Sequence, residues 1–160
     1  MSTDVLLSRR SDSAEHTIEL AAALGSALKV GDLVVLTGDL GAGKTQFTKG
    51  IARALGVPER VTSPTFALHQ QYDGRLTLHH LDVYRFNDLS ETLDLDLPEL
   101  IESGVTVIEW GDTIESELPE ERLIVRISND AVGDDVRWLS FEASSAFANQ
   151  WRQRIEAVLP

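Results

Sequence analysis

A three-layer α/β domain with a mixed sheet flanked by helices is the fold the chain predicts, and three observations carry it. The apolar run Leu33-Val34-Val35-Leu36 leads into a Gly-rich turn and then into apolar residues at helical spacing. A second run, Val105-Thr106-Val107-Ile108, ends on Glu109, and both runs suit strands covered on both faces. Between them, two alternating segments flank Asp73-Gly74, the signal of an antiparallel hairpin, so parallel and antiparallel strands share the sheet. At 160 residues the chain is expected to form one domain, residues 1–160. A chain of that size buries about two thirds of its unfolded surface.

The elements follow in order. Residues 4–8 suit a short edge strand. Asp12 with Glu15 resembles a capping box, opening a helix with Ala14, Ile18, Ala21 and Leu28 on one stripe. The buried strand 33–37 comes next. The helix after the turn carries Phe47, Ile51, Ala54 and Leu55 and stops near Gly56 and Pro58. Residues 65–72 and 75–81 form the hairpin. Asp96-Leu97-Pro98-Glu99 reads as a helix start with a cap and an early proline, ending at Gly104. After the strand 105–109, Leu123, Val125 and Ile127 alternate with more polar neighbours, and residues 136–142 pair with them across the polar turn 129–135. Phe147, Trp151, Ile155 and Val158 stripe a terminal helix. The chain contains no repeat, low-complexity segment or linker.

Composition excludes several classes of function. With 42% hydrophobic and 25% charged residues it is that of a soluble globular protein. No apolar run approaches the roughly 20 residues of a membrane span. The N-terminus lacks the pattern of a signal peptide. Zero cysteines exclude disulfides and thiolate metal sites and agree with a reducing compartment, so a cytoplasmic location is expected. Twenty-six acidic against fourteen basic residues give a net charge of −12, the wrong sign for gripping nucleic acid directly. The three lysines are Lys29, Lys44 and Lys49. Any link to RNA is therefore expected to run through a partner protein, and the acidity itself reads as ordinary solubility.

The chemistry concentrates in Gly38-Asp39-Leu40-Gly41-Ala42-Gly43-Lys44-Thr45, which fits the phosphate-loop pattern G-x-x-x-x-G-K-[ST] between a strand and a helix. Gly38, Gly41 and Gly43 let the backbone wrap closely and turn its N–H groups inward as a concave anion site. The following helix N-terminus adds to it. Lys44 reaches the β- and γ-phosphates and the Thr45 hydroxyl is placed to ligate Mg²⁺. The alternative, a Gly-rich turn with a chance lysine, does not account for the complete pattern in its required setting. A nucleoside triphosphate is the expected ligand, and with it a second acidic group at the carboxyl end of a neighbouring strand. Glu109 and Asp82 both hold such positions.

Other residues are less decisive. Thr62, Ser63 and Thr65 bracket Pro64 in a loop that reads equally as a γ-phosphate sensor or as turn chemistry. His79 and His80 face opposite sides of one strand and His69 brings no third ligand, so a transition-metal site is not expected. Trp110, Trp138 and Trp151 read as core aromatics. Arg85 pairs with a carboxylate or reaches a phosphate.

Together G-D-L-G-A-G-K-T (38–45), V-T-S-P-T-F (61–66), H-L-D-V-Y-R (80–85) and I-E-W (108–110) resemble, in order and spacing, the TsaE (YjeE) family. These are the bacterial ATPases required to make threonylcarbamoyladenosine on tRNA. The resemblance runs from about residue 13 to about residue 142 and leaves the terminal helix outside. It implies that Lys44 and Thr45 hold phosphates and Mg²⁺, with Glu109 the second magnesium ligand. It implies that Thr62 and Ser63 lie in a switch-like loop, that Asp82 serves ATP turnover, that Trp110 sits beside the nucleotide, and that the region from Ser11 to Ala14 lies by the adenine. The implied role is accessory: ATP is bound and hydrolysed to cycle a TsaB–TsaD heterodimer, which performs the transfer and holds the tRNA. Turnover is expected to be weak in isolation, since no arginine finger is evident apart from Arg85.

Two other readings share the phosphate loop. A small-molecule kinase needs a basic lid over the phosphates, and the acidic segment 88–102, which reads as a solvated face, is a poor one. A nucleotide-dependent binding module would bind without hydrolysis; a guanine-specific one lacks its Asn-Lys-x-Asp motif here.

Overall fold

Strands that are apolar on both faces can lie only between two layers, and two such strands form the centre of this molecule. The computed structural model describes residues 2–39, 41–62, 69–83, 96–130 and 133–160. In chain order these form β1 (Thr3–Ser11), α1 (Ala14–Gly25), β2 (Leu33–Gly38), α2 (Lys44–Ala54), β3 (His69–Asp73), β4 (Thr77–Asp82), α3 (Leu97–Ser103), β5 (Val105–Glu109), a 3-10 helix (Gly111–Glu117), β6 (Leu123–Asn129), β7 (Arg137–Ser144) and α4 (Ala148–Glu156). The seven strands join in the order β1-β7-β6-β2-β5-β4-β3. The four inner strands β6, β2, β5 and β4 run parallel; β3 pairs antiparallel to β4, and β7 antiparallel to β6 and β1. The mixed sheet expected from the sequence is therefore present.

Strand alternation divides the core in two. Val34, Leu36, Val105, Val107, Leu123 and Val125 meet Leu20, Leu24, Phe47, Ile51, Trp151 and Ile155, from α1, α2 and α4, on one face. Leu33, Val35, Ile108 and Ile124 meet Leu97, Ile114 and Leu118, from α3 and the 3-10 segment, on the other. The three layers follow from that partition.

Locally, the expected boundaries shift for identifiable reasons. The N-cap of α1 is Ser13, whose Oγ accepts the His16 N–H at 3.0 Å; Asp12 lies one residue earlier and does not take that role. The buried stripe of α1 is accordingly Thr17, Leu20, Ala21, Leu24 and Gly25, with Ala14 exposed and Leu28 buried beyond the helix end. Asp73 pairs with Thr77, so the hairpin turn is Gly74-Arg75-Leu76 rather than Asp73-Gly74 alone. Residues 65–68, assigned to the first hairpin strand from sequence, lie outside the described residues. Asp96 precedes α3 as expected, but with positive φ and without a side-chain capping bond. Trp151 is a core aromatic, whereas Trp138 is 45% exposed on the outer side of β7. The terminal helix is fastened by Trp151 and Ile155 and by Arg154, which donates to Asp32 Oδ1 at 3.1 Å and to the Ala27 carbonyl at 2.8 Å. Among the described residues no helix is long and apolar enough to cross a membrane.

The packing of α1 on α2 aims the first turn of α2, and it depends on two missing side chains. A Cβ built on Gly50 would stand 2.3 Å from the Ile18 carbonyl oxygen and 2.5 Å from Ala21 Cβ; one on Gly25 would stand 2.6 Å from Ala54 Cβ. Gly50→Ala is expected to lower the urea midpoint, because overpacking costs about 1–3 kcal/mol against a helix-propensity gain of about 1 kcal/mol. A midpoint equal to or above that of the parent would refute the close approach.

The hairpin is tied to α3 by a relay of hydrogen bonds through His69, His79 and Ser103. Ser103 Oγ donates to the Leu100 carbonyl at 3.0 Å, so it accepts from His79 Nε2 at 2.7 Å. His79 Nδ1 is then bare and accepts from His69 Nε2 at 2.9 Å. The His79 ring is neutral in this arrangement. Burial, and for His79 the neighbouring His69, hold both pKa values below the ordinary histidine value. The unfolded chain therefore takes up protons near pH 6.5 that the folded chain refuses, and stability present above that pH is lost as pH falls below it. Unfolding free energy should decline between about pH 7.5 and 5.5, and His69→Gln should flatten the decline; identical slopes would refute the relay.

Candidate functional site

The site forms where β2 ends. Gly38 has φ +146°, and a Cβ there would lie 2.3 Å from the Ile127 carbonyl oxygen, so only glycine lets the loop leave β2 so close to β6. The loop closes on itself through Ala42 N–H to the Asp39 carbonyl at 3.0 Å, with Ala42 packed into the core. Gly43, at φ +109°, is the N-cap of α2 and turns the chain into the helix. Lys44 is only 5% exposed, and its Nζ donates to the Gly38 and Asp39 carbonyls at 2.8 Å each. The same ammonium lies 3.7 Å from the centroid of the Trp110 ring.

The carboxylates come from neighbouring parallel strands. Register places Asp82 directly opposite Glu109, and Glu109 opposite Leu36 of β2. Both acids therefore emerge at the carboxyl ends of the strands on the α2 side. Glu109 is 3% exposed; its Oε1 accepts from Thr45 Oγ1 at 3.3 Å and its Oε2 from His80 Nε2. Trp110 follows with φ +65°, a strained conformation for a bulky residue, and starts the 3-10 segment. Gly41, Gly43, Lys44, Thr45, Gln46, Asp82, Glu109 and Trp110 enclose a cleft of about 280 Å³.

Of the residues singled out from sequence, Lys44, Thr45, Asp82, Glu109 and Trp110 thus meet in one place, with the loop glycines 41 and 43. Trp110 is a half-buried wall of the cleft rather than a core aromatic. Gly38, Asp39 and Ala42 shape the loop from behind. Thr62 is exposed and does not line the cleft. Leu40, Ser63, Thr65 and Arg85 lie outside the described residues. Ser11 is buried at the β1–α1 junction, its hydroxyl 2.6 Å from that of Thr17.

Sequence reasoning assigned no role to His80 or Arg137. His80 is fully buried, and with Nε2 committed to Glu109 its Nδ1 has no partner among the described residues. The signals were its place at the head of the H-L-D-V-Y-R stretch and its spacing from Asp82, which puts both side chains on one face of β4. Arg137 donates to the Ala42 carbonyl at 3.0 Å from 95 positions away, and no local pattern announces that.

Comparison with known proteins agrees with this geometry. The family model described as threonylcarbamoyl adenosine biosynthesis protein TsaE matches residues 11–137. A tRNA threonylcarbamoyladenosine biosynthesis protein TsaE of Bacillus subtilis (strain 168) is 46% identical over 135 residues, 84% of each chain. One of Treponema pallidum (strain Nichols) is 47% identical over 118 residues, covering 73% of this chain and 87% of the relative. The crystal structure of Bacillus subtilis YdiB superposes with a TM-score of 0.79 at 36% identity, covering 98% of this chain and 97% of that one.

His80→Ala should leave a buried carboxylate oxygen without its donor and open a cavity behind it. The expected loss is about 2–4 kcal/mol of unfolding free energy, with His80→Asn losing less. A loss of under about 0.5 kcal/mol by urea denaturation would mean that the contact contributes little to the fold.

Proposed function

We infer the function of this chain from one premise: it belongs to the TsaE family of threonylcarbamoyl adenosine biosynthesis proteins. It acts in the biosynthesis of threonylcarbamoyladenosine on tRNA. Its part in that process is to bind Mg·ATP and hydrolyse it slowly, as a single domain in the cytoplasm, in order to cycle a TsaB–TsaD heterodimer. The heterodimer, not this chain, transfers the threonylcarbamoyl group and holds the tRNA; the net charge of −12 supports that division.

One observation carries the reading: an ammonium, a hydroxyl and two carboxylates from three separate elements converge at the carboxyl ends of parallel strands, beside a Gly-rich loop that opens a helix. Ligands of open α/β sheets collect there, and anions favour helix N-termini. The phosphates lie along the loop, and Lys44 moves from its own loop carbonyls to the β- and γ-oxygens. The donor set suits magnesium: Thr45 Oγ1 and Glu109 Oε1 are hard oxygens 3.3 Å apart, with the Asp82 carboxylate beside them. Among the described residues no group of three or more His, Cys, Asp or Glu could hold a metal. A magnesium ion held by Thr45 and Glu109 would take the rest of its shell from phosphate oxygens and water. Held there, the ion would neutralise charge on the transferring phosphoryl group. Asp82 orients water against the γ-phosphate or the ion, His80 keeps Glu109 in place, and Trp110 covers the nucleotide. Thr62 and Ser63 serve as the switch-like segment near the γ-phosphate.

Calorimetric titration with Mg·ATP tests the site. Lys44→Ala should weaken binding by about 100-fold or more, the loss of charge-assisted bonds of about 1.5–3 kcal/mol each. Glu109→Ala should move the magnesium dependence of binding upward by about tenfold. Normal turnover in the lysine variant would remove the assignment. Affinity without phosphate release, with the heterodimer present, would make the chain a binding module instead.

A further inference from the structure

The loop is braced from outside by a side chain to which the reading above gives no task. We propose that Arg137, the first residue of β7, is a positioning residue for nucleotide binding: it fixes the peptide plane between Ala42 and Gly43 so that the Gly43 N–H points into the cleft. The inference rests on the nucleotide reading and extends it to a residue outside the loop.

The guanidinium bridges two pieces of chain. Its Nε donates to the Ala42 carbonyl at 3.0 Å, and one terminal nitrogen lies 3.5 Å from the Gly41 carbonyl oxygen. The other terminal nitrogen donates to the Asp134 carbonyl at 2.6 Å and the Val136 carbonyl at 3.0 Å. The group is planar and permanently charged, so anchoring one edge on the β6–β7 connection sets the direction of the other. The backbone beneath it is firm, because Arg137 pairs with Asn129 on β6 and with Ser11 on β1.

A trans peptide puts its C=O and N–H on opposite sides. Drawing the Ala42 carbonyl toward Arg137 therefore turns the Gly43 N–H the other way, toward the cleft that Gly43 lines. The preceding N–H, of Ala42, is already spent within the loop on the Asp39 carbonyl. Gly41 and Gly43 both have positive φ, and glycine has many competing conformations to lose. An external brace removes that loss before the ligand arrives, which raises affinity without a new ligand contact. Lysine would retain the charge but not the fork.

The test is calorimetry of the full chain with Mg·ATP, comparing the parent with Arg137→Ala, Arg137→Lys and, as a distant charge control, Arg152→Ala. The dissociation constant should rise about tenfold or more in the alanine variant and several-fold in the lysine variant. It should be unchanged in the control, with one site per chain throughout. Retained stoichiometry separates positioning from a purely structural role, which would lower the folded fraction and leave the constant alone. In a ¹⁵N-labelled sample the Gly43 amide resonance should move in Arg137→Ala. Affinity within about twofold of the parent in whichever variant folds overturns the inference. If Lys44→Ala loses binding while the Arg137 variants keep it, only the brace fails; a parent that binds no ATP ends the nucleotide reading and the brace together.

Discussion

The Glu109 carboxylate, 3% exposed at the end of a central strand, is the constraint on which this structure turns. A carboxylate so deeply buried is costly unless hydrogen bonds meet it on every side. Its two oxygens are met by Thr45 from α2 and His80 from β4. One charge thus ties three elements of the sheet–helix layer to a common point. Asp82 stands directly opposite it in the parallel β4–β5 register. Thr45 and His80 hold the Glu109 carboxylate in that position. The fold and the chemistry of the site are therefore set by the same interaction.

Everything else at the site is positioned by packing at one remove. Lys44 and Thr45 occupy the first turn of α2, whose placement follows from its close approach to α1 through Gly25 and Gly50. The loop in front of them leaves β2 at a glycine that all but touches the Ile127 carbonyl. Arg137 holds the outer carbonyls of that loop from the β7 side. The loop is thus set between a helix pair on one side and an antiparallel ladder on the other.

Trp110 shows what that arrangement costs. Its backbone is left-handed, at φ +65°, where a bulky residue is strained. Its backbone and its ring are both held. Its N–H continues the β5–β2 ladder to the Leu36 carbonyl at 2.9 Å, and its ring lies against the Lys44 ammonium. Strain of this kind persists only where the surroundings over-determine it, and here the ladder and the ring contact both do. The outcome is an aromatic wall on the cleft, where tryptophan content alone had suggested one more core residue.

Much of this was legible along the chain. The unbroken runs at 33–36 and 105–108 announced strands covered on both faces, and the spacing of Gly38, Gly43, Lys44 and Thr45 announced the loop, because periodicity and turn chemistry are local. The stripe of α1 was misplaced, since Asp12 and Ser13 are both good caps and it is Ser13 that takes the His16 N–H. Trp138 was misplaced because β7 has an inner and an outer face, and the sheet order assigns them.

The sequence by itself determined the order of elements, the Gly-rich loop and the two acidic residues at strand ends; each is written in neighbouring positions or in one element's own periodicity. Tertiary structure alone decided which side chains serve them. His80 reaches Glu109 across 29 positions and Arg137 reaches the loop across 95. Such pairings depend on strand order and register over the whole sheet, which are fixed by the collective burial of both its faces and by no single stretch of chain.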